Sequence, residues 1–385
     1  MLKSCGLFVF GGSQSIAHMQ IGWNINNILE MTEDMPENNS YHFIKNYPNT
    51  KVLKPSEWNI DAFLNNLKNK HIDLLFTNNP CSGLSYINRN SSINQPANKR
   101  FYEVFNVIDR IEPKCFLMEN APALVSTGTP ILQDMINKLG NRYNFTIIRD
   151  MAGNHNVCMK RLRTLVIGWN QNYFIGTPII NSNIKKEFYI KDAFEGLNDS
   201  IYNMEEVIDP NWDNLKKYYY LVKPNSSILR ACCENYNIVK NDLTKTQNNQ
   251  VLKAKNKLEN GGNIWDKSPW RLDYNSTCSS LTSVTRFIHP IENRNLYVRE
   301  YARIMGYPDY FKFYPNECKC NVIQCIAQGV PVNFIKYISK EIKRCFEQYY
   351  MQNNNKICFQ INNIDKRYYY NIEEFNNLEN LLHNK

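Results

Sequence analysis

A cysteine, a carboxylic acid and a pair of arginines are the side chains of this sequence that could share one reaction. Cys81 lies in the run Asn79-Pro80-Cys81-Ser82-Gly83-Leu84-Ser85, just after an apolar stretch that ends at Phe76. Cysteines are usually buried, and a polar loop with Pro and Gly is a poor place to bury one. Met118-Glu119-Asn120-Ala121 closes the next apolar stretch, and Met159-Lys160-Arg161-Leu162-Arg163 precedes another. Alternation along an extended segment puts Arg161 and Arg163 on one side. Together these types allow covalent catalysis, in which a thiolate attacks, a carboxyl supplies a proton and cations favour the thiolate. Taken singly each has a plainer reading, as a buried thiol, a helix-capping Glu-Asn and two surface charges.

These groups meet only if strands deliver them to one edge of a sheet. The first half alternates short apolar runs with amphipathic ones, the pattern of a doubly wound α/β fold. Strands are predicted at Leu7–Phe10, Ile25–Met31, Ile72–Phe76, Cys115–Met118, Phe145–Arg149 and Thr164–Trp169. Helices are predicted from Ser13, over Ile60–Lys70 and over Phe101–Ile111. In such folds ligands bind beyond the carboxyl ends of the strands, which is where Cys81 and Glu119 fall. Residues 175–265 are rich in Asn, Lys and Tyr without a clear period, the natural place for a separate domain. Helical spacing returns over Tyr297–Met305 and over Phe334–Phe346, the second with Ile335, Ile338, Ile342 and Phe346 on one face.

The 385 residues suffice for about two domains. With 21% charged and 13% aromatic residues the chain is a packed globule, not a disordered one. Lys and Arg number 45 against 36 Asp and Glu, a net +9 that favours an anionic partner. Twelve cysteines without a C-x-x-C pair fit reduced thiols and an intracellular setting, cytoplasm or nucleus. Cys318, Cys320 and Cys325 cluster, but no nearby His gives zinc spacing, so no metal is expected. No run approaches the roughly 18 apolar residues of a membrane span, and no basic-then-apolar start marks a secretion signal.

Only 15 glycines occur, so the adjacent pair in Leu7-Phe8-Val9-Phe10-Gly11-Gly12-Ser13 stands out. Between a strand and a helix it either lets the backbone approach a nucleotide-like ligand or simply makes a tight turn. Glu30, ending the next predicted strand, sits where such folds hold ribose hydroxyls.

The ordered set resembles the DNA (cytosine-5)-methyltransferases. Pro80-Cys81 matches the family's Pro-Cys, Leu84-Ser85 stands for its Phe-Ser, and Glu119-Asn120-Ala121 matches its Glu-Asn-Val. Met159 to Arg163 matches its Gln-x-Arg-x-Arg with the Gln replaced. Arg299-Glu300-Tyr301-Ala302-Arg303-Ile304-Met305-Gly306-Tyr307-Pro308-Asp309 follows its Arg-Glu-x-Ala-Arg-x-x-Gly-Phe-Pro stretch, and Gly329-Val330-Pro331 its final motif. The resemblance implies a Rossmann-like class I methyltransferase sheet with a smaller target-recognition domain, S-adenosylmethionine as donor, and no metal. The expected division is 1–185 for donor binding and catalysis, 186–290 for target recognition, 291–347 for motifs and a helix returning to the catalytic domain, and 348–385 as an Asn/Tyr-rich extension.

In this resemblance Cys81 adds to carbon 6 of cytosine and Glu119 supplies a proton or hydrogen bond at ring nitrogen 3. Arg163 and Arg161 hold the base oxygen and the carboxylate, Pro80 shapes the nucleophile loop, and Asn120 holds neighbouring backbone. Phe8, Val9, Gly11, Gly12, Glu30, Met31, Pro80, Gln328 and Val330 hold the donor. The cytosine has to be flipped out of double-stranded DNA. The segments Lys216-Lys217-Tyr218-Tyr219-Tyr220 and Lys240 to Lys257 suit phosphate contacts, or form a solvated basic face. A monomer without membrane attachment is expected, with a cognate restriction endonuclease as a partner the family admits. Transfer to a tRNA cytosine and a catalytically decayed DNA-binding relative are the rival readings.

The sequence departs from the family in its donor loop. Phe10 and Ser13 stand at two of the family's glycine positions, and Ala327-Gln328 replaces Gly-Asn. An altered donor geometry, weak affinity or a modified donor would each follow, the first being the mildest. Counting on from Gly22 selects Glu30 for the ribose, counting back from Asn46-Tyr47-Pro48 selects Asp34, and Met31 after Glu30 favours the former.

Overall fold

The computed structural model describes residues 2–8, 10–29, 40–53, 60–69, 71–85, 92–178, 180, 187–198, 204–264, 266–317, 321–352, 355–359 and 380. The chain divides into two compact units. The first comprises Met1–Asn156, Arg161–Lys186 and Gly329–Lys385; the second comprises Val157–Lys160 and Glu187–Gln328. The expected return to the first domain at residue 291 thus differs from this division, in which the chain rejoins the first unit at Gly329.

The first unit is built on strands β1 (Lys3–Leu7), β2 (Asn24–Leu29), β3 (Lys51–Leu53), β4 (Leu74–Asn78), β5 (Cys115–Asn120), β6 (Tyr143–Met151) and β7 (Leu162–Asn170). They form one sheet of order β3-β2-β1-β4-β5-β7-β6. Pairs among β1 to β5 are parallel, whereas β7 is antiparallel to both β5 and β6. Every residue of β4 and β5 is buried, as continuous apolar strands covered on both faces should be. The helices are α1 (Ser13–Gln20), α2 (Tyr41–Asn46), α3 (Ile60–Asn69), α4 (Lys99–Ile111) and α5 (Thr129–Leu139), followed much later by a long helix, Val332–Met351.

The first strand begins and ends earlier than its apolar run predicts. Gly6 lies in the ladder, and only glycine fits there because a Cβ would come 2.6 Å from the Phe76 ring. Phe8 and Phe10 fall outside it, with φ of 62° and 48°, so of that apolar run Leu7 ends the strand and the two phenylalanines lie beyond it. The long helix packs on α1, where His18 Nδ1 pairs with Ser339 Oγ at 2.6 Å and Lys343 Nζ donates to the Ile21 carbonyl at 2.7 Å. Burial pushes His18 down to about 3, which keeps it neutral there.

The second unit contains α6 (Ile190–Phe194), α7 (Ile228–Glu234), α8 (Tyr236–Val239), α9 (Lys245–Glu259), α10 (Val298–Ile304) and α11 (Val322–Gln328). One apolar cluster gathers Leu215, Tyr219, Ile228, Cys232, Val239 and Val251. Charged residues of the Arg299 to Asp309 stretch hold this unit's backbone. Glu300 receives Tyr297 N at 2.7 Å, and Arg303 donates to the Ala193 and Glu195 carbonyls at 3.1 and 3.0 Å. Among the described residues no helix is long and apolar enough to cross a membrane, and no group of three or more His, Cys, Asp or Glu could hold a metal. Cys318 and Cys320 lie outside the described residues.

Candidate active site

Strands β4 and β5 run in parallel with Asn78 opposite Glu119. Cys81, just past β4, and Glu119, at the end of β5, therefore share the carboxyl edge of the sheet. Cys81 is partly exposed, on a turn closed by Leu84 N donating to its carbonyl at 3.0 Å. Buried Leu84 anchors that turn in the core below. Gly83 admits no side chain, because a Cβ would come 2.2 Å from Asn98 Oδ1. Asn98 Nδ2 donates to the Ser92 and Ile93 carbonyls at 2.9 and 2.8 Å.

The backbone leading into Pro80 is fixed from both strands. Thr77 Oγ1 donates to Asn79 Oδ1, and Asn79 Nδ2 reaches Met118 Sδ at 3.9 Å. Asn120 Nδ2 donates to the Asn79 carbonyl at 3.2 Å, while its Oδ1 accepts from Ala121 N at 2.9 Å. Sequence reasoning quoted Asn79 in the Cys81 run without giving it a role and missed Asn98, because the partners of both are set by folding.

Glu119 is buried, with Arg163 Nε 2.8 Å from its Oε1. That oxygen is buried against the Arg163 guanidinium. Burial pushes the Glu119 carboxyl above its ordinary value, against the opposing charges of Arg163 and Arg161. A buried acid so raised holds its proton longer. Arg161, also buried, is directed elsewhere: its Nη2 donates to the Gly329 carbonyl at 2.9 Å. Of the two arginines that alternation placed together, Arg163 thus faces a carboxylate and Arg161 a backbone carbonyl.

The turn after β1 carries the second group of expected residues. Phe8 and Phe10 are buried with rings stacked at 6.5 Å. Phe10 adopts the left-handed backbone conformation normally left to glycine, at a strain of about 1–2 kcal/mol. Gly11 is buried, and Gly12 at φ 82° could carry no Cβ, which would meet the Phe43 ring at 2.3 Å. Gly12 gives α1 no side-chain cap, and among the described residues neither amide atom of buried Gln14 has a hydrogen-bond partner. Ser13 Oγ accepts from Val330 N at 3.1 Å, bringing Val330 to this turn. Gln328 ends α11 in the second unit, its Oε1 without a hydrogen bond among the described residues. Val9, Glu30, Met31 and Asp34 lie outside the described residues.

A mostly parallel sheet with one antiparallel strand, a glycine turn after β1 and a thiol loop after β4 defines a Rossmann-like methyltransferase. The family model for C-5 cytosine-specific DNA methylases matches residues 5–344. The type II methyltransferase M.FnuDI of Fusobacterium nucleatum is 26% identical over 280 residues, covering 69% of this chain and 74% of that protein. M.Sau96I of Staphylococcus aureus, another type II methyltransferase, is 24% identical over 322 residues, 79% of this chain and 68% of that protein. A solved structure assigned as a DNA modification methyltransferase, encoded within an E. coli prophage, gives a TM-score of 0.63 at 20% identity, covering 90% of this chain and 100% of that one. The chain belongs to the C-5 cytosine-specific DNA methylase family and is a DNA (cytosine-5-)-methyltransferase.

The family implies S-adenosylmethionine as methyl donor, and the residues at the turn fit it. Gly11 carries no side chain, the uncapped start of α1 offers amide donors to a carboxylate, and the Gln14 amide atoms have no partner among the described residues. A buried polar group without a partner costs about 1–3 kcal/mol, so a polar ligand is its natural complement.

Proposed function

We propose that this chain transfers a methyl group from S-adenosylmethionine to carbon 5 of a cytosine flipped out of double-stranded DNA, through a covalent Cys81 adduct. One arrangement carries the reading. A partly exposed Cys81 and a buried Glu119 paired with Arg163 stand at the same end of adjacent strands.

Carbon 5 of cytosine is a poor nucleophile while the ring is aromatic. The Cys81 thiolate forms a bond to carbon 6, and the electron pair of the 5,6 double bond is pushed into the ring. Glu119, its carboxyl raised by burial, delivers a proton at ring nitrogen 3. Arg163 steadies Glu119 and the charge developing beside it. Carbon 5 is then enamine-like. When bound, S-adenosylmethionine supplies a methyl group made electrophilic by its sulfonium. Loss of the carbon-5 proton to solvent re-forms the double bond and breaks the bond to Cys81, returning the thiolate, while ring nitrogen 3 gives its proton back to the Glu119 carboxylate. Pro80 shapes the loop and Asn120 holds it through Asn79, while Arg161 positions Gly329.

Phe8, Val9, Gly11, Gly12, Glu30, Met31, Pro80, Gln328 and Val330 are the proposed donor contacts, with the first unit catalytic and the second target-recognising. We read the chain as an intracellular monomer. The type II designation of the named relatives favours a restriction endonuclease as its cellular counterpart.

Duplex DNA containing 5-fluorocytosine tests the reading, since fluorine at carbon 5 cannot leave as a proton does and the adduct is trapped. A complex stable to denaturation, lost in Cys81→Ser, with labelled methyl entering DNA and not tRNA, is expected. No adduct and no methyl transfer to any DNA overturns the proposal.

A further inference from the structure

Of the two basic segments, the structure leaves one neutralised from within. Lys217 pairs with Asp242 at 2.8 Å, Lys216 pairs with Glu206, Tyr218 donates to Asp242, and Tyr219 is buried. Helix α9 differs. Thr244 and Gln247 cap its start reciprocally, and Gln247 Nε2 ties it to the Asn211 carbonyl at 2.7 Å. Gln247, Val251 and Ala254 face inward. Lys245, Asn249, Lys253, Asn256 and Lys257 are exposed on the opposite side. Lys245, Lys253 and Lys257 have no carboxylate partner among the described residues, whereas Lys255 lies 3.9 Å from Glu259. From Lys245 to Lys257 the helix is about 18 Å long, the length of about five base pairs.

We propose that the Lys245, Lys253 and Lys257 face of α9 lies along the phosphate backbone of the substrate duplex. The inference rests on the DNA substrate of the proposed function and adds where the second unit meets it. A rigid, capped helix holds three cations in line without internal counter-charge, so phosphate takes their counterions' place. The interleaved Asn249 and Asn256 amides can donate to phosphate oxygens as well. These contacts are independent of sequence and help meet the cost of flipping the base.

The test compares the salt dependence of duplex binding by the full chain with that of K245Q/K253Q/K257Q, alongside K217Q and the triple Lys→Arg variant. Three lost phosphate contacts reduce the slope of log affinity against log salt by about 2.7. Between about 50 and 200 mM salt the triple Gln variant would then lose about 40-fold less affinity than the wild type. We expect that change, a raised KM for DNA, an unaltered kcat at saturating DNA, and wild-type slopes in K217Q and the Arg variant. A triple Gln variant with native circular dichroism and the wild-type slope overturns the proposal. A wild type that forms no adduct with fluorocytosine DNA fails the underlying reading instead.

Discussion

Arg161 Nη2 donates to the carbonyl of Gly329 at 2.9 Å across 168 residues of sequence, and the next amide, Val330 N, donates to Ser13 Oγ at 3.1 Å. One peptide is thus held by an arginine of the Arg-x-Arg pair and by the first residue of α1.

Removing either support should destabilise the first unit. Arg161→Ala leaves a buried carbonyl short of a donor, at a cost of about 1–3 kcal/mol, and Ser13→Ala should cost about 1 kcal/mol. Because both act on one peptide, the double variant should fall short of the sum. Thermal unfolding of the four proteins measures this, and strict additivity would show the two contacts to be independent.

Cys81→Ser should remove adduct formation and turnover together while leaving duplex affinity within about twofold, since the side chain is partly exposed. Gel retardation and labelled methyl transfer separate the two effects. Residual turnover near the wild-type level would exclude Cys81 as the nucleophile.

The raised Glu119 carboxyl predicts a direction with pH. The proton-bearing form is the active one in the proposed mechanism, so kcat/KM should fall as pH rises through the raised value. Glu119→Gln should lower the rate about 10²–10⁴-fold and flatten that limb. Stability moves the same way: the folded state binds the proton more tightly than the unfolded one, so stability declines from the ordinary carboxyl range up through the raised value. The Gln variant should lack that decline in melting temperature against pH.

Phe10→Gly relieves the left-handed strain of about 1–2 kcal/mol but removes a buried ring worth about 3–5 kcal/mol. A net loss of stability is expected. If the ring narrows the donor site, calorimetry should show tighter S-adenosylmethionine binding by the variant, and unchanged or weaker binding would refute that reading.

The catalytic candidates were legible because Pro80-Cys81, Glu119-Asn120 and Arg161/Arg163 are contiguous and follow strands whose apolar runs are plain. The limits of β1 were not, since Phe8 and Phe10 extend the apolar run of a strand while both have left-handed φ. Helix α9 was hidden because its inward positions, Gln247, Val251 and Ala254, include one polar and one small residue among Lys and Asn. The different partners of Arg161 and Arg163 depend on Gly329, which no local pattern connects to them.

The first unit is interrupted by the second, and this orders events during synthesis. At about 5–20 residues per second, Gly329 leaves the ribosome roughly 8–34 s after Arg161, from which it is 168 residues distant. Through that interval the guanidinium has no native carbonyl, and the long helix has yet to cover α1. Cys81 and Glu119 precede Gly329 by more than 200 residues, so the nascent chain can complete the first unit around them only after the whole second unit has been made.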